Sequence, residues 1–393
     1  MKTPERPLRI LVVVNLNWDT RLGAVRVWAE LADQWRAAGH IVEKYCLSDA
    51  FPKARVSRPG FALRQVLFAY KAAAFVKKNG APFDVVDALI GTLPFSRRRL
   101  HFSGLLVARS VGLYRLYERF EQKMARDKPP TSRGKLVGRI FYPLMRHFIL
   151  RDSDRAVAQA DLLNLPNEEE AGCLREEGID AHRIVVLPYG LTPPRAQALA
   201  AAALSPAKRL LQQRVAFVGM WSPRKGGHDW LAIITAVRAE VPGACFRFLG
   251  TMVEEKVIRD ALGGASEGVE CVAHYEPDAL PGWLSDCTVG AFPSYVEGFG
   301  LAVLEKLAAG LPTVAYATAG PRDILQSLPA ALLVSPGDVR QFAHSLVSLL
   351  RLSEPKYQEI SEQSRRVADT FSWPQIARDT IEIYQRKLAE MTR

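Results

Sequence analysis

Two glutamates in the second half of the chain stand at a spacing that could grip a polyhydroxylated anion. Glu297 precedes the run Gly298-Phe299-Gly300, and Glu305 follows with seven residues between the two carboxylates. A strand-length apolar run ends at Pro293-Ser294, and helical periodicity begins at Gly300, so the order is strand, glycine-bearing loop, helix. The glycines permit tight backbone geometry and close approach of a ligand to main-chain amides. The helix start at Gly300 and Leu301 offers free N–H groups and a partial positive charge, which suit a phosphate. Carboxylates beside such a site make chemical sense where they accept from hydroxyls, as a ribose diol and a sugar ring would supply. Taken alone, the pair is better explained as two solvated glutamates of an ordinary βα turn.

Other reactive residues form no comparable pattern. The five cysteines (Cys46, Cys173, Cys245, Cys271 and Cys287) are scattered, with no CxxC or CxH spacing for a metal. Their odd number and scatter fit a reducing compartment. The seven histidines (His40, His101, His147, His182, His228, His274 and His344) are isolated from one another, and none is nominated for chemistry.

The elements that position the glutamates repeat along the whole chain. Strand-length apolar runs at 9–15, 41–47, 84–89, 104–109, 161–165 and 183–188 alternate with helix-period segments at 24–39, 62–79 and about 113–160, the last broken near Pro129-Pro130. A further helix follows Asn167, with Asn167 as N-cap and Glu170 completing a capping box. The alternation restarts with strands at 214–219, 244–250, 288–294, 312–316 and 331–334. Helices at 227–240, 300–310, 338–352, 355–370 and 373–390 accompany them. Two successive β/α runs predict an α/β protein of two doubly wound parallel sheets, with ligands at the carboxyl ends of the strands.

Length and composition agree. At 393 residues and 48% hydrophobic content, the chain is long enough for two domains and excludes collagenous or disordered classes. The net charge is +11, from 52 Lys and Arg against 41 Asp and Glu. It divides unevenly at YGLTPPR (189–195), read as a linker: residues 1–195 carry +12 and residues 196–393 carry −1. Residues 97–155 alone carry +10, with Tyr114, Tyr117, Phe120, Phe141, Tyr142 and Phe148 interleaved. A solvated helix face explains this as readily as a surface for anionic lipid headgroups or a phosphorylated acceptor. No nucleic-acid-binding motif accompanies the charge, so nucleic acid is not expected as a partner. The N-terminal apolar run is too short for a signal peptide, and no window is long enough to span a bilayer. The expected location is cytoplasmic, peripheral at the inner face of a membrane.

The stretch SYVEGFGLAVLEKLAAGLPTVAYATAGPRDIL (294–325) resembles the retaining family 4 glycosyltransferases of the GT-B fold. Their C-terminal domain carries PS-x-x-EGFG-x-x-x-LEAMA-x-G-x-P-V, matched here by Pro293-Ser294, Glu297 to Gly300, Leu304-Glu305 and Gly310-Leu311-Pro312. Ala319-Gly320-Pro321-Arg322-Asp323-Ile324 follows in register. FVGMWSPRKGGHDWL (217–231) is similar to the family's VGR-x-x-x-x-KG, with Lys225-Gly226 in place and Met220 where arginine is usual. LVVVNLNWDTRLGAVRVWAELADQWRAAGHIV resembles the first strand, glycine loop and helix, with Leu22-Gly23 where two glycines are common. ADLLNLPNEEE and IVVLPYGLT complete the likeness, which is weakest over 50–155. Ala108-Arg109-Ser110-Val111-Gly112-Leu113 departs from the family by holding Val111 where a histidine reaches the donor sugar.

The resemblance implies two Rossmann-like domains facing across a cleft: an acceptor-side domain over 1–190 and a nucleotide-sugar domain over 191–372. A C-terminal helix over 373–393 would pack back on the first. It implies transfer of a hexose from a nucleotide-diphosphate sugar to a saccharide or lipid-linked acceptor, with retention, in cell-surface polysaccharide or glycolipid synthesis. Lys225, with Arg224 beside it, would neutralise the diphosphate, together with the amides of Gly300 and Leu301. Glu305 would hold the ribose and Glu297 would contact the sugar, with the amides of Gly298 and Phe299 nearby. Gly23 would let the backbone approach the donor. The reaction would run on the donor's own front face, with the diphosphate oxygen as base, and no metal or other cofactor is expected. The alternative is a GT-B protein that binds a nucleotide sugar or polyanion without turnover. A phosphorylase would need a cofactor-holding lysine motif that is not found, and a sugar epimerase would lack the paired glutamates.

Overall fold

A computed structural model describes residues 6–19, 23–52, 58–127 and 136–392. The chain divides into two compact units, Met1–Pro188 with Trp373–Arg393, and Tyr189–Ser372.

The first unit is built on strands β1 (Arg9–Val13), β2 (Ile41–Tyr45), β3 (Val85–Leu89), β4 (Leu105–Arg109), β5 (Leu162–Leu165) and β6 (Ile184–Val186). They form one sheet in the order β2-β1-β3-β4-β5-β6, with every neighbouring pair parallel. β3, β4 and β5 are buried along their whole length, as expected of a sheet covered on both faces. On one face Leu11, Val13, Val86, Ala88 and Leu106 pack against Phe68, Ala72 and Val76 of the helix Arg58–Asn79.

The same sheet also carries a buried polar knot. Asp87 of β3 accepts from Arg109 Nη2 of β4 at 2.7 Å and from the Tyr384 hydroxyl at 2.6 Å. Tyr384 belongs to the C-terminal helix Trp373–Met391, and Trp35 Nε1 donates to the Ala377 carbonyl of that helix at 3.2 Å. A buried carboxylate is tolerable only when it is paired and its remaining lone pairs are satisfied, and the last helix supplies one of those donors.

The second unit holds β7 (Arg214–Val218), β8 (Cys245–Leu249), β9 (Val269–Val272), β10 (Val289–Phe292), β11 (Thr313–Tyr316) and β12 (Leu333–Val334). Its order is β9-β8-β7-β10-β11-β12, again parallel throughout. The chain winds outward from β7 in one direction and from β10 in the other. The loops after these two strands therefore leave the sheet at its topological switch point, where doubly wound sheets bind their ligands.

Four local expectations change. YGLTPPR is no simple linker: Thr192 caps a helix, Pro193–Ala201, with its side chain accepting from Arg195 N. Two prolines in the first turn suit a helix start, because the missing N–H groups would be orphaned there anyway. The strand 41–47 stops at Tyr45, because Leu47 begins a short helix. Asn167 does cap its helix, but the Glu170 side chain does not complete the box; it is buried and accepts from Ser110 Oγ at 2.5 Å and Leu113 N at 3.3 Å. Burial pushes its carboxyl up to about 7 against the pull of those donors. Strand β9 was not expected, because Val-Glu-Cys-Val is short and broken by an exposed glutamate at the sheet edge. The expected helix break at Pro129-Pro130 lies outside the described residues.

Replacing Tyr384 with phenylalanine leaves Asp87 one donor short inside the sheet. The expected loss is about 1–3 kcal/mol, read as a lower urea midpoint with an unchanged slope. An unmoved midpoint would show that the hydroxyl contributes nothing to anchoring the last helix.

Candidate active site

The site is assembled from the two loops that leave the second sheet at its switch point. After β7 the chain makes a 3-10 turn, Pro223–Lys225, and Gly226 reverses it with φ +75°. A Cβ on Gly226 would lie 2.2 Å from the Pro293 carbonyl oxygen, so only glycine lets this turn rest on the end of β10. Tyr295 N donates to the Arg224 carbonyl at 2.9 Å and ties the two loops together. In this setting Lys225 Nζ forms an ion pair with the Glu297 carboxylate. Their side chains are 12% and 14% exposed, so the pair is shielded yet reachable.

Gly300 caps the helix Leu301–Ala308 with φ +99°, and Leu301 is its first residue. Gly298 and Phe299 are buried behind it. The Phe299 ring meets Tyr189 edge-on at 5.5 Å and Phe371 at 5.7 Å. The helix Ala319–Leu325 presses Gly320 against the loop, where a Cβ would meet the Phe299 carbonyl oxygen at 1.9 Å. The EGFG loop is thus held by ring contacts and by a glycine-dependent backbone contact.

Glu305 lies in the same helix and is buried, and its Oε1 accepts from Arg195 Nη2 at 3.0 Å. Arg195 in turn donates to the Pro277 carbonyl at 2.6 Å. The structure therefore gives each carboxylate its own cation: Lys225 for Glu297 and Arg195 for Glu305. This resolves how two carboxylates sit beside a helix N-terminus. Sequence reasoning missed Arg195, whose only signal was the Thr-Pro-Pro helix start.

It also missed a brace beside the lysine turn. Asp229 is buried and its Oδ2 accepts from the Tyr295 hydroxyl at 2.8 Å and the Tyr316 hydroxyl at 2.7 Å. Burial first, then the hydrogen bond to Asp229 and its charge, push both phenols above their ordinary range. His228 stacks on Tyr295 at 5.2 Å and its Nε2 lies 3.3 Å from Asp229 Oδ1. The brace joins the end of the lysine turn to the loop after β10 and to β11.

Gly23 belongs to the first unit. It opens the helix Gly23–Ala37 of the first unit, and the neighbouring Leu22 lies outside the described residues. Val111 follows β4, and Met220 is 43% exposed just after β7. Among the described residues, no group of three or more His, Cys, Asp or Glu side chains could hold a metal ion. Nor is any helix among them long and apolar enough to cross a membrane. In the basic stretch, Arg97 pairs with Asp161, Arg115 with Asp154 and Glu177, Arg146 with Glu118 and Glu121, and Arg151 with Asp152. Glu118, Glu121, Asp152 and Asp154 are already counted in the net +10, so only Asp161 and Glu177, outside the stretch, offset it further; residues 128–135 of it lie outside the described residues.

Residues 212–352 match the family described as Glycosyl transferases group 1. A D-inositol 3-phosphate glycosyltransferase of Salinispora tropica is 28% identical over 257 residues, 60% of this chain and 53% of that relative. The chain thus spans about half the length of the curated relatives it matches. Among solved structures, a sucrose-phosphate synthase from Thermosynechococcus elongatus superposes with a TM-score of 0.73 at 18% identity, covering 97% of this chain and 100% of that one. The catalytic domain of starch synthase IV from Arabidopsis thaliana, bound to ADP and acarbose, gives 0.68 at 14% identity, covering 98% and 100%. Residues 212–352, which carry Lys225, Glu297 and Glu305, thus match the group 1 glycosyl transferases, within a chain of GT-B fold.

Proposed function

We propose that this protein is a retaining glycosyltransferase that moves a hexose from a nucleotide-diphosphate sugar to a saccharide or lipid-linked acceptor. The observation that carries the reading is the Lys225–Glu297 pair at the switch point of the second sheet, beside the helix start at Gly300. Lys225, with Arg224 on the same turn, stabilises the negative charge that grows on the departing diphosphate. The amides of Gly300 and Leu301 add to it. An incoming diphosphate competes for Lys225 and releases the Glu297 carboxylate to accept from sugar hydroxyls. Glu305, oriented by Arg195, accepts from the ribose. Bond breaking is assisted by placed cations and dipoles, so turnover needs no metal. The surplus positive charge of the first unit faces an anionic acceptor or the anionic face of a membrane where cell-surface polysaccharide or glycolipid is assembled.

Donor turnover measured over a panel of nucleotide sugars tests the chemistry. Lys225→Ala is expected to lower kcat by about 100-fold or more, as loss of a preorganised charge-stabilising group does. Glu297→Ala is expected to fall comparably. Full turnover in both variants would overturn the assignment, and donor binding without turnover in the unaltered protein would favour a binding role. Turnover is expected to persist in excess EDTA; its loss, with recovery on adding a divalent cation, would overturn the metal-free mechanism. In liposome sedimentation, binding should rise with the fraction of anionic lipid and fall with salt. Sedimentation indifferent to lipid charge would remove the membrane from the proposal.

A further inference from the structure

Lys306 follows Glu305 in the helix beside the site and has no part in the scheme above. Its side chain is wholly buried, a rare position for lysine. Nζ donates to the Ala291 carbonyl of β10 at 2.7 Å and stands 4.9 Å from the centroid of the Phe292 ring. Lys225 Nζ stands 5.1 Å from the same centroid. The two ammonium groups are therefore no farther apart than those two distances together, and one electron-rich ring serves both. Gly290 makes room for the Lys306 stem: a Cβ there would lie 2.9 Å from Lys306 Cδ and 2.3 Å from Thr313 Oγ1.

The charges around Lys306 come from several elements. The lysine turn brings Lys225, itself paired with Glu297. Glu305 precedes it on its own helix, held by Arg195 of Pro193–Ala201. β11 brings the neutral hydroxyl of Thr313, and its Tyr316 hydroxyl donates to Asp229. The helix Ala319–Leu325 carries Arg322, whose Nη2 donates to the Ala317 carbonyl. The helix Glu354–Asp369 brings Arg365 close to Gly310, beyond the helix's far end. Burial, and then the charge of Lys225, push the Lys306 ammonium down to about 7, with Glu305 pulling weakly the other way.

We propose that Lys306 is a concealed second cation of the diphosphate site, which takes up a proton from solvent when a nucleoside diphosphate docks on Lys225. The inference rests on Lys225 as the diphosphate-binding group. The step forms one N–H bond at Nζ, and water or buffer gives up the proton. A docked anion offsets the charge of Lys225, so the protonated form of Lys306 is favoured more strongly than in the empty site. Proton uptake then accompanies binding, and by linkage affinity falls as pH rises. Below about 7 Lys306 is already protonated in both states, and affinity is flat. The dependence opens there and closes at the higher value of the bound state. A rise of one unit on binding separates the two plateaus by about tenfold.

Titration calorimetry of the full chain with UDP, GDP and ADP, near pH 8 in buffers of different ionisation enthalpy, counts the protons. At that pH the terminal phosphate is already ionised, so its own titration drops out. The unaltered protein is expected to take up a fraction of a proton on binding and to weaken by up to about tenfold between roughly pH 6.5 and 9. Lys306→Met, which keeps the apolar stem, is expected to take up none and to bind with a flat pH profile. Equal uptake in both proteins, or none in the unaltered protein, overturns the inference while leaving the donor site intact. Binding of none of the three nucleotides overturns the donor site, and this inference with it. If Lys306→Met fails to fold, the count for the unaltered protein still decides, because zero uptake contradicts the proposal.

Discussion

The ion pair between Lys225 and Glu297 is the interaction around which the second unit is arranged. It joins two loops that are 72 residues apart in sequence and neighbours only because the sheet reverses its winding between β7 and β10. The pair requires the lysine turn to lie flat on the end of β10, and the absence of a side chain at Gly226 permits it. It also requires that turn to stay in place, which the Asp229 hydroxyl brace and the Tyr295–Arg224 backbone bond secure. A shielded salt bridge of this kind contributes little net stability, because desolvation consumes most of the Coulombic gain. In the proposed reaction its worth lies in holding a cation and a carboxylate ready where a charged ligand would exchange for either.

The same electrostatic logic extends down the helix that starts at Gly300. Glu305 is buried and would be costly there without Arg195. Lys306 is buried more deeply and keeps its place through one carbonyl and one aromatic ring. Successive residues of one helix thus present a carboxylate and a buried amine, each matched by a partner from another element. The first unit solves a similar problem with Asp87, Arg109 and Tyr384, but there the network anchors a helix.

The sequence carried the alternation of β and α segments, the two sheets, and the residues that end up paired at Lys225 and Glu297. These were legible because strand-length Val, Ile and Leu runs have few readings, and because glycine at positions such as Gly300 marks a backbone that other residues avoid. Arg195 was not legible, because its partner Glu305 lies 110 residues away and no local pattern announces a long-range ion pair. Asp229 falls at the start of the segment read as a helix over 227–240; its role comes from hydroxyls on two other elements. Glu170 fitted a capping box by spacing, yet tertiary burial turned its carboxylate toward Ser110. Local spacing reports backbone needs well, and it is silent on which side chain a distant element will present.

The loops after β7 and β10, proposed above to hold a nucleotide-diphosphate sugar, are open to a direct binding measurement. A thermal-shift titration with UDP-, GDP- and ADP-sugars tests that proposal most directly, since a ligand bound only by the native state raises Tm with its concentration. A dose-dependent rise is expected with at least one donor, and it is expected to be lost in Lys225→Ala. No rise with any donor at saturating concentration, or an equal rise in the variant, would contradict the proposal.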